Sequence, residues 1–183
     1  MLSFFHPEQL LHFPKSYYSR GQMRTPQEVP QRAQNLLQAV DTLGFAIKEP
    51  ADFGLEPLLA VHSAAYLTFL ESAHANWKQM PEDWGDEVMS NIFVREPNAL
   101  RGILAQAARY LADGSCPVGE NTWRSAYWSA QSAVAAAKAV LDGEPGFVIL
   151  SAMPAGGLSA LLRVSLEECD RLMRNFVSLE DEK

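Results

Sequence analysis

Cysteine is scarce in this chain. Cys116 and Cys169 stand far apart, and no CxxC pair occurs. A disulfide framework and a cysteine-rich zinc site are thereby excluded. No run of ~18 apolar residues exists, so no membrane span is expected. Positive charge is in deficit: 15 Lys and Arg stand against 22 Asp and Glu, a net charge of −7. A nucleic-acid binder would show a basic face, so that class is set aside, while a cationic small molecule is compatible with the balance. HExxH, P-loop, GxSxG and GxGxxG motifs are all missing. The four histidines, His6, His12, His62 and His74, have no His or carboxylate partner at a helical metal spacing. Met1-Leu2-Ser3-Phe4-Phe5-His6 lacks the basic opening and long apolar centre of a signal peptide, and a cytoplasmic location is the expectation.

What is present reads as one globular domain. The chain has 183 residues, 48% hydrophobic and 20% charged, enough for a real core. Short apolar runs at Leu2–Phe5, Phe45–Glu49 and Phe147–Leu150 predict strands. Between them, Pro30–Leu43 is helical, with Ala33, Leu36, Leu37, Val40 and Leu43 as one apolar stripe and Gly44 as its stop. Strand, helix, strand predicts a parallel βαβ unit. Further helices are predicted at Leu55–Val61, Ala64–Ala75 (Ser63 as N-cap), Leu100–Leu111 and Thr122–Leu141. The last carries Ala126, Ala130, Ala133, Val134, Ala137, Val140 and Leu141 as its apolar face. The fold class is therefore α/β, rich in helix, with a small, mostly parallel sheet of about three strands.

Two segments stand outside that pattern. His12–Pro30 is loop-like, broken by Pro14, Gly21, Pro26 and Pro30, and dense in hydrogen-bonding and aromatic groups from Lys15 to Gln22. It is either a plain connector or a functional loop. Residues 76–98 mix Trp77, Met80, Trp84, Met89, Ile92 and Phe93 with Glu82, Asp83, Asp86, Glu87 and Glu96. This is the composition of an interaction surface, or of a loop folded back on its own domain. His62, between two helices, reads as structural, and Cys116 as a small buried residue.

The loop after the last strand, Met153–Leu158, lies where an open α/β sheet collects its ligands, yet holds no His, Asp, Glu, Cys or Ser until Ser159. The tail, 144–183, reads as that strand, the Pro-Gly loop and an amphipathic helix with Leu166, Cys169, Leu172, Met173, Phe176 and Val177 on one face. It is expected to pack on the same domain as residues 1–143.

Several blocks resemble the bacterial acetylpolyamine amidohydrolases, a branch of the histone deacetylase family in the arginase-deacetylase superfamily. Tyr17 to Ala33 is similar to that branch's N-terminal loop, and Val61-His62-Ser63-Ala64-Ala65-Tyr66-Leu67 to a common family segment. Trp84-Gly85-Asp86-Glu87-Val88-Met89 resembles the start of an insertion peculiar to the polyamine branch. Cys116 to Trp123, with the alanine-rich helix that follows, is similar as well. The resemblance runs from Leu2 to Leu141. It implies a partial arginase-deacetylase fold and a relative of enzymes that remove acetyl groups from amines with one zinc ion, an activated water, a His pair and a Tyr.

The same resemblance implies that Tyr17, Tyr18, Arg20, Trp84, Asp86, Glu87 and Phe93 line a substrate entrance or a dimer loop. It also implies a departure. Gly157 and Leu158 stand where the family has its two histidines, and the family's zinc ligands and Tyr lie further along than this chain reaches. No catalytic residue, metal ligand or bound cofactor is therefore expected in this chain, although zinc serves the family. Three functional expectations follow: a truncated relative of a zinc deacetylase, inactive alone; a polyamine-binding or dimerisation module, pairing with itself or a full-length relative through 76–98; or a hydrolase whose zinc site another chain completes.

Overall fold

The computed structural model describes residues 2–94, 101–115 and 117–149. Cys116, Cys169, residues 95–100, Leu150, the Pro-Gly loop and the predicted tail helix lie outside the described residues. Five strands are described: β1 (Leu2–Phe4), β2 (Tyr17–Ser19), β3 (Gln22–Arg24), β4 (Ala46–Lys48) and β5 (Gly146–Val148). The α-helices are α1 (Pro30–Thr42), α2 (Glu56–Leu59), α3 (Ala64–Lys78), α4 (Ile103–Tyr110) and α5 (Thr122–Leu141), and a 3-10 turn spans Pro7–Leu11.

β1 is the centre of a three-stranded sheet in the order β4-β1-β5, parallel on both sides. Successive side chains on a strand point to opposite faces. Phe4 accordingly packs against Ala135, Ala136 and Ala139 of α5, while Phe5 packs against Ala33 and Val40 of α1 and against Ile149. Helices therefore cover both faces, as a parallel sheet requires. A third cluster sits beside this sandwich. There Leu67, Phe69, Leu70, Ala73 and Trp77 of α3 meet Ile103 and Ala107 of α4, with Val88, Val118 and Ala126. No helix among the described residues is long and apolar enough to cross a membrane.

Local signals set several boundaries. The Ser63 hydroxyl accepts from Tyr66 N at 3.2 Å and opens α3. Gly44, at φ +71°, takes the left-handed conformation that ends α1, and its N–H reaches Asp41 O at 2.9 Å. α5 begins and ends at the residues its sequence predicts.

Its buried face is different. Of the predicted apolar set only Ala126 is buried; the face turned inward is Thr122, Ser125, Ser129, Gln131, Ser132, Ala135, Ala136 and Ala139, and Val140 and Leu141 are exposed. The reason is a polar seam. Ser125 Oγ donates to Glu8 O at 2.7 Å, and Gln9 Nε2 donates to Ser132 Oγ at 3.1 Å. Small polar side chains let the Pro7–Leu11 turn approach the helix, and the Ser125, Gln131 and Ser132 side chains find partners, whereas the Ser129 hydroxyl has none among the described residues. Gln131, fully buried, accepts from Phe53 N at 2.9 Å and donates to Gly54 O at 3.0 Å. Gln131→Leu keeps the volume but strands both backbone groups. It is expected to lower stability by about 1–3 kcal/mol, read as a lower urea midpoint at unchanged slope.

Three other expectations need correction. His12–Pro30 is not all loop: β2 and β3 form an antiparallel hairpin, Tyr17 opposite Arg24 and Ser19 opposite Gln22. Arg20 (φ +51°) and Gly21 (φ +77°) make its two-residue turn, both left-handed as a type I′ turn demands. The α1 stripe is narrower than predicted, since Leu36 and Leu43 are exposed; α1 lies over β4 at the end of the sheet, whose three residues are all exposed. Finally, α3 runs to Lys78, so the irregular 76–98 segment loses its first residues to a helix.

Candidate functional site

Ligands of parallel α/β sheets collect beyond the carboxyl ends of the strands. Two pieces of chain meet there. β1 leads through the Pro7–Leu11 turn into residues 12–15. α5 reverses at residues 142–145 to enter β5, so its N-terminus, Thr122, lies at the same end of the sheet. Between them opens a cleft of about 410 Å³, lined by Leu11–Lys15, His74 and Lys78 of α3, Asp86, Glu87, and Gly119–Thr122.

Its polar groups are knotted together. Glu87 is only 8% exposed, and its carboxylate accepts from Lys15 N at 2.9 Å and Ser16 N at 3.4 Å. Asp86 stands between two cations, with Lys15 Nζ at 2.6 Å and Lys78 Nζ at 3.2 Å. The Lys15 bond, then that of Lys78, holds the Asp86 carboxyl below its usual range, and Asp86 in turn raises Lys15. His74 Nε2 lies 3.1 Å from Asp86 O. His12, 4% exposed, places Nδ1 3.2 Å from Thr122 Oγ1, which also accepts from Gly119 N at 2.9 Å. Burial pushes the His12 imidazole down to about 4, so it is neutral at neutral pH. The His12–Thr122 pair resembles a base and a hydroxyl nucleophile only in composition, because Thr122 is 1% exposed and its oxygen is committed to the turn.

The sequence-derived candidates divide into groups. Asp86 and Glu87 line the cleft, with both carboxylates engaged by neighbouring groups. Tyr17, Tyr18 and Arg20 lie on the adjoining hairpin, which is fastened to Gly114 by Tyr18 N to Gly114 O at 2.8 Å. Trp84 packs edge-on against Trp77 with ring centres 5.9 Å apart and remains half exposed, and Phe93 is partly exposed next to a more exposed Ile92. Within residues 76–94 Trp77, Glu87 and Val88 are buried, as a loop folded back on its own domain requires, while Trp84, Ile92 and Phe93 are exposed. Sequence reading singled out neither Lys78 nor Thr122, and weighed His12 and His74 only as histidines without a metal partner; no local pattern joins His12 to Thr122, 110 positions apart. His62 is buried against Tyr66, its Nε2 without a partner among the described residues.

Among the described residues no group of three His, Cys, Asp or Glu could hold a metal ion. The residues of this cleft therefore do not fit a zinc ion, and no chemical step is derived through one.

Comparison with known proteins gives this geometry its context. A sequence profile of the histone deacetylase domain matches residues 26–157, past residue 143 and through β5. An acetylpolyamine amidohydrolase of Burkholderia pseudomallei (strain 1710b) is 66% identical over 154 residues, covering 84% of this chain and 45% of that protein. Acetylpolyamine amidohydrolase 1 of Pseudomonas aeruginosa is 36% identical over 153 residues, covering 78% and 42%. The crystal structure of an acetylpolyamine aminohydrolase from Burkholderia pseudomallei superposes with a TM-score of 0.79 at 54% identity, over 91% of this chain and 53% of that one. The chain thus spans less than half the length of the curated relatives it matches. The architecture is a part of the arginase-deacetylase fold, and the chain belongs to the histone deacetylase domain family.

Proposed function

We propose that this chain supplies the entrance portion of an acetylpolyamine amidohydrolase-type domain and does not by itself hydrolyse amides. The reading rests on the resemblance noted in the sequence: Gly157 and Leu158 stand where that resemblance places the family's His pair, at the point where the profile match ends. The described cleft supports it, since His12, His74, Asp86 and Glu87 are bound to backbone, hydroxyl or lysine groups. On this reading Tyr17, Tyr18, Arg20, Trp84 and Phe93 belong to the mouth through which a slender acetylated polyamine would pass, in the cytoplasm. Zinc and the hydrolytic residues would belong to the rest of such a domain. The test is metal content after purification in zinc-containing buffer, with an acetylputrescine hydrolysis assay. Substoichiometric zinc and no acetate release are expected. One tightly held zinc per chain with turnover would sink the proposal, and turnover only on adding a second chain would favour a zinc site completed in trans.

A second reading has its own support in the outward-facing Trp84, Ile92 and Phe93, the last two beyond the buried Val88. It is a module that pairs with itself or with a full-length relative through the 76–98 segment. Aromatic and aliphatic anchors of this kind dominate interface energetics. Sedimentation at several concentrations separates the readings: a chain monomeric throughout, and indifferent to polyamines, is only an entrance piece.

A further inference from the structure

We infer that Glu87, assisted by Asp86, is a positioning residue that locks the Tyr17–Arg24 hairpin to the 79–94 loop, so that the two move as one unit. Three sets of bonds carry this. Glu87 spends its buried carboxylate on the backbone N–H groups of Lys15 and Ser16, the two residues that lead into β2. Its neighbour Asp86 holds the Lys15 side chain from the same loop and is itself anchored to α3 through Lys78. Val88, next along, exchanges both backbone bonds with Val118, at 2.9 and 3.1 Å.

The hairpin is fixed at its other side to Gly114. Tyr18 N donates to Gly114 O, and a Cβ at Gly114 would stand 3.2 Å from both Tyr18 O and Tyr18 Cβ, so the two backbones approach closely enough that a larger residue would push Tyr18 away by a few tenths of an ångström. The hairpin is thus held at Gly114 and the loop at Val118, with Glu87 as the direct clasp between them. The clasp is interior, whereas Trp84 and Ile92 on the same loop face outward. A partner seated on those outward residues would set where Tyr17, Tyr18 and Arg20 stand. The word entrance for that hairpin rests on the proposed function; the clasp does not, and its test uses neither zinc nor turnover.

Amide hydrogen exchange on the full chain tests it, in wild type, Glu87→Ala, Glu87→Gln and Asp86→Asn. A hydrogen bond to a buried carboxylate is worth enough that its loss should speed exchange about tenfold or more. Glu87→Ala is expected to do so at Lys15, Ser16 and Tyr18 and, together with them, at Val88, while the α5 amides from Ser129 to Ala139 stay as in wild type. Glu87→Gln keeps one acceptor oxygen and should recover most of the protection. Asp86→Asn, which weakens only exposed ion pairs, should give the smallest change. Hairpin amides unmoved in Glu87→Ala would overturn the inference, as would an equal acceleration in α5, which would make Glu87 a support of the whole fold. No recovery with glutamine, or a larger effect from Asp86→Asn, would overturn the assignment of the clasp to the Glu87 carboxylate.

Discussion

Trp77→Ala is expected to cost about 3–5 kcal/mol, the range for removing a large aromatic side chain from a packed interior. Trp77 is 4% exposed at the last turn of α3 and packs in the cluster of Phe69, Leu70, Ala73, Val88 and Val118. Its indole N–H also donates to Gly85 O at 3.2 Å, and its ring receives Trp84 edge-on. The side chain therefore pins the start of the 79–94 loop to the helical layer. Its removal should leave a cavity and release the loop together. Trp77→Phe retains most of the apolar contact and loses the hydrogen bond, so a cost of about 1 kcal/mol beyond its smaller volume loss is expected. Urea unfolding followed by far-ultraviolet circular dichroism measures both. A cost below about 1.5 kcal/mol for the alanine variant would show that the loop closes over the gap without help from the indole.

The elements that sequence reading located well are those governed by short-range chemistry. Ser63 ahead of an apolar stripe, Gly44 after one, and the Gly143–Pro145 break each act within a few residues, and α1, α3 and α5 begin or end accordingly. The parallel pairing of β1 with β4 followed from the length of the helix between them. The buried face of α5 did not follow, because hydrophobicity ranks Val140 and Leu141 above Ser125 and Ser132. What decides that face is the approach of the Pro7–Leu11 turn, more than a hundred positions away, whose carbonyls take the Ser125 hydroxyl and whose Gln9 side chain donates to Ser132. The hairpin was signalled locally by Arg20-Gly21, but without an alternating apolar run on either side the turn alone did not reveal it.

The site was legible by composition and not by role. Asp86 and Glu87 stood out as neighbours in an acidic, aromatic loop, yet side by side they do opposite things. Asp86 remains at the surface between two lysines, while Glu87 turns inward to backbone N–H groups 71 and 72 positions away. Adjacent residues in an irregular segment share no face, so no periodicity could tell the interior carboxylate from the exterior one.

The second large effect is one of pH. Stability is expected to be fully present above about pH 6.5 and to fall as pH drops toward 4, before the carboxylates titrate. His12 sets this window. Burial lowers its folded value to about 4 from an ordinary 6.5, so between those limits the unfolded chain takes up a proton that the folded chain refuses. Wherever the unfolded state binds more protons, stability rises with pH. At about 1.4 kcal/mol per pH unit, the interval corresponds to about 3 kcal/mol. His62, also lowered by burial, acts with the same sign. Glu8, Asp52 and Asp86 are held below their usual range by Arg124, Tyr127 and Lys15 respectively, so what they contribute is lost only at lower pH. His12→Asn keeps a hydrogen-bonding atom near the Nδ1 position, facing Thr122, and has no proton to gain. The substitution also alters packing, which shifts stability equally at every pH, so the slope is the quantity to compare. Urea midpoints taken between pH 7 and pH 4 should fall much less steeply in the variant. An equal slope in both chains would mean that His12 admits its proton without unfolding and that the cleft is open to water at its base.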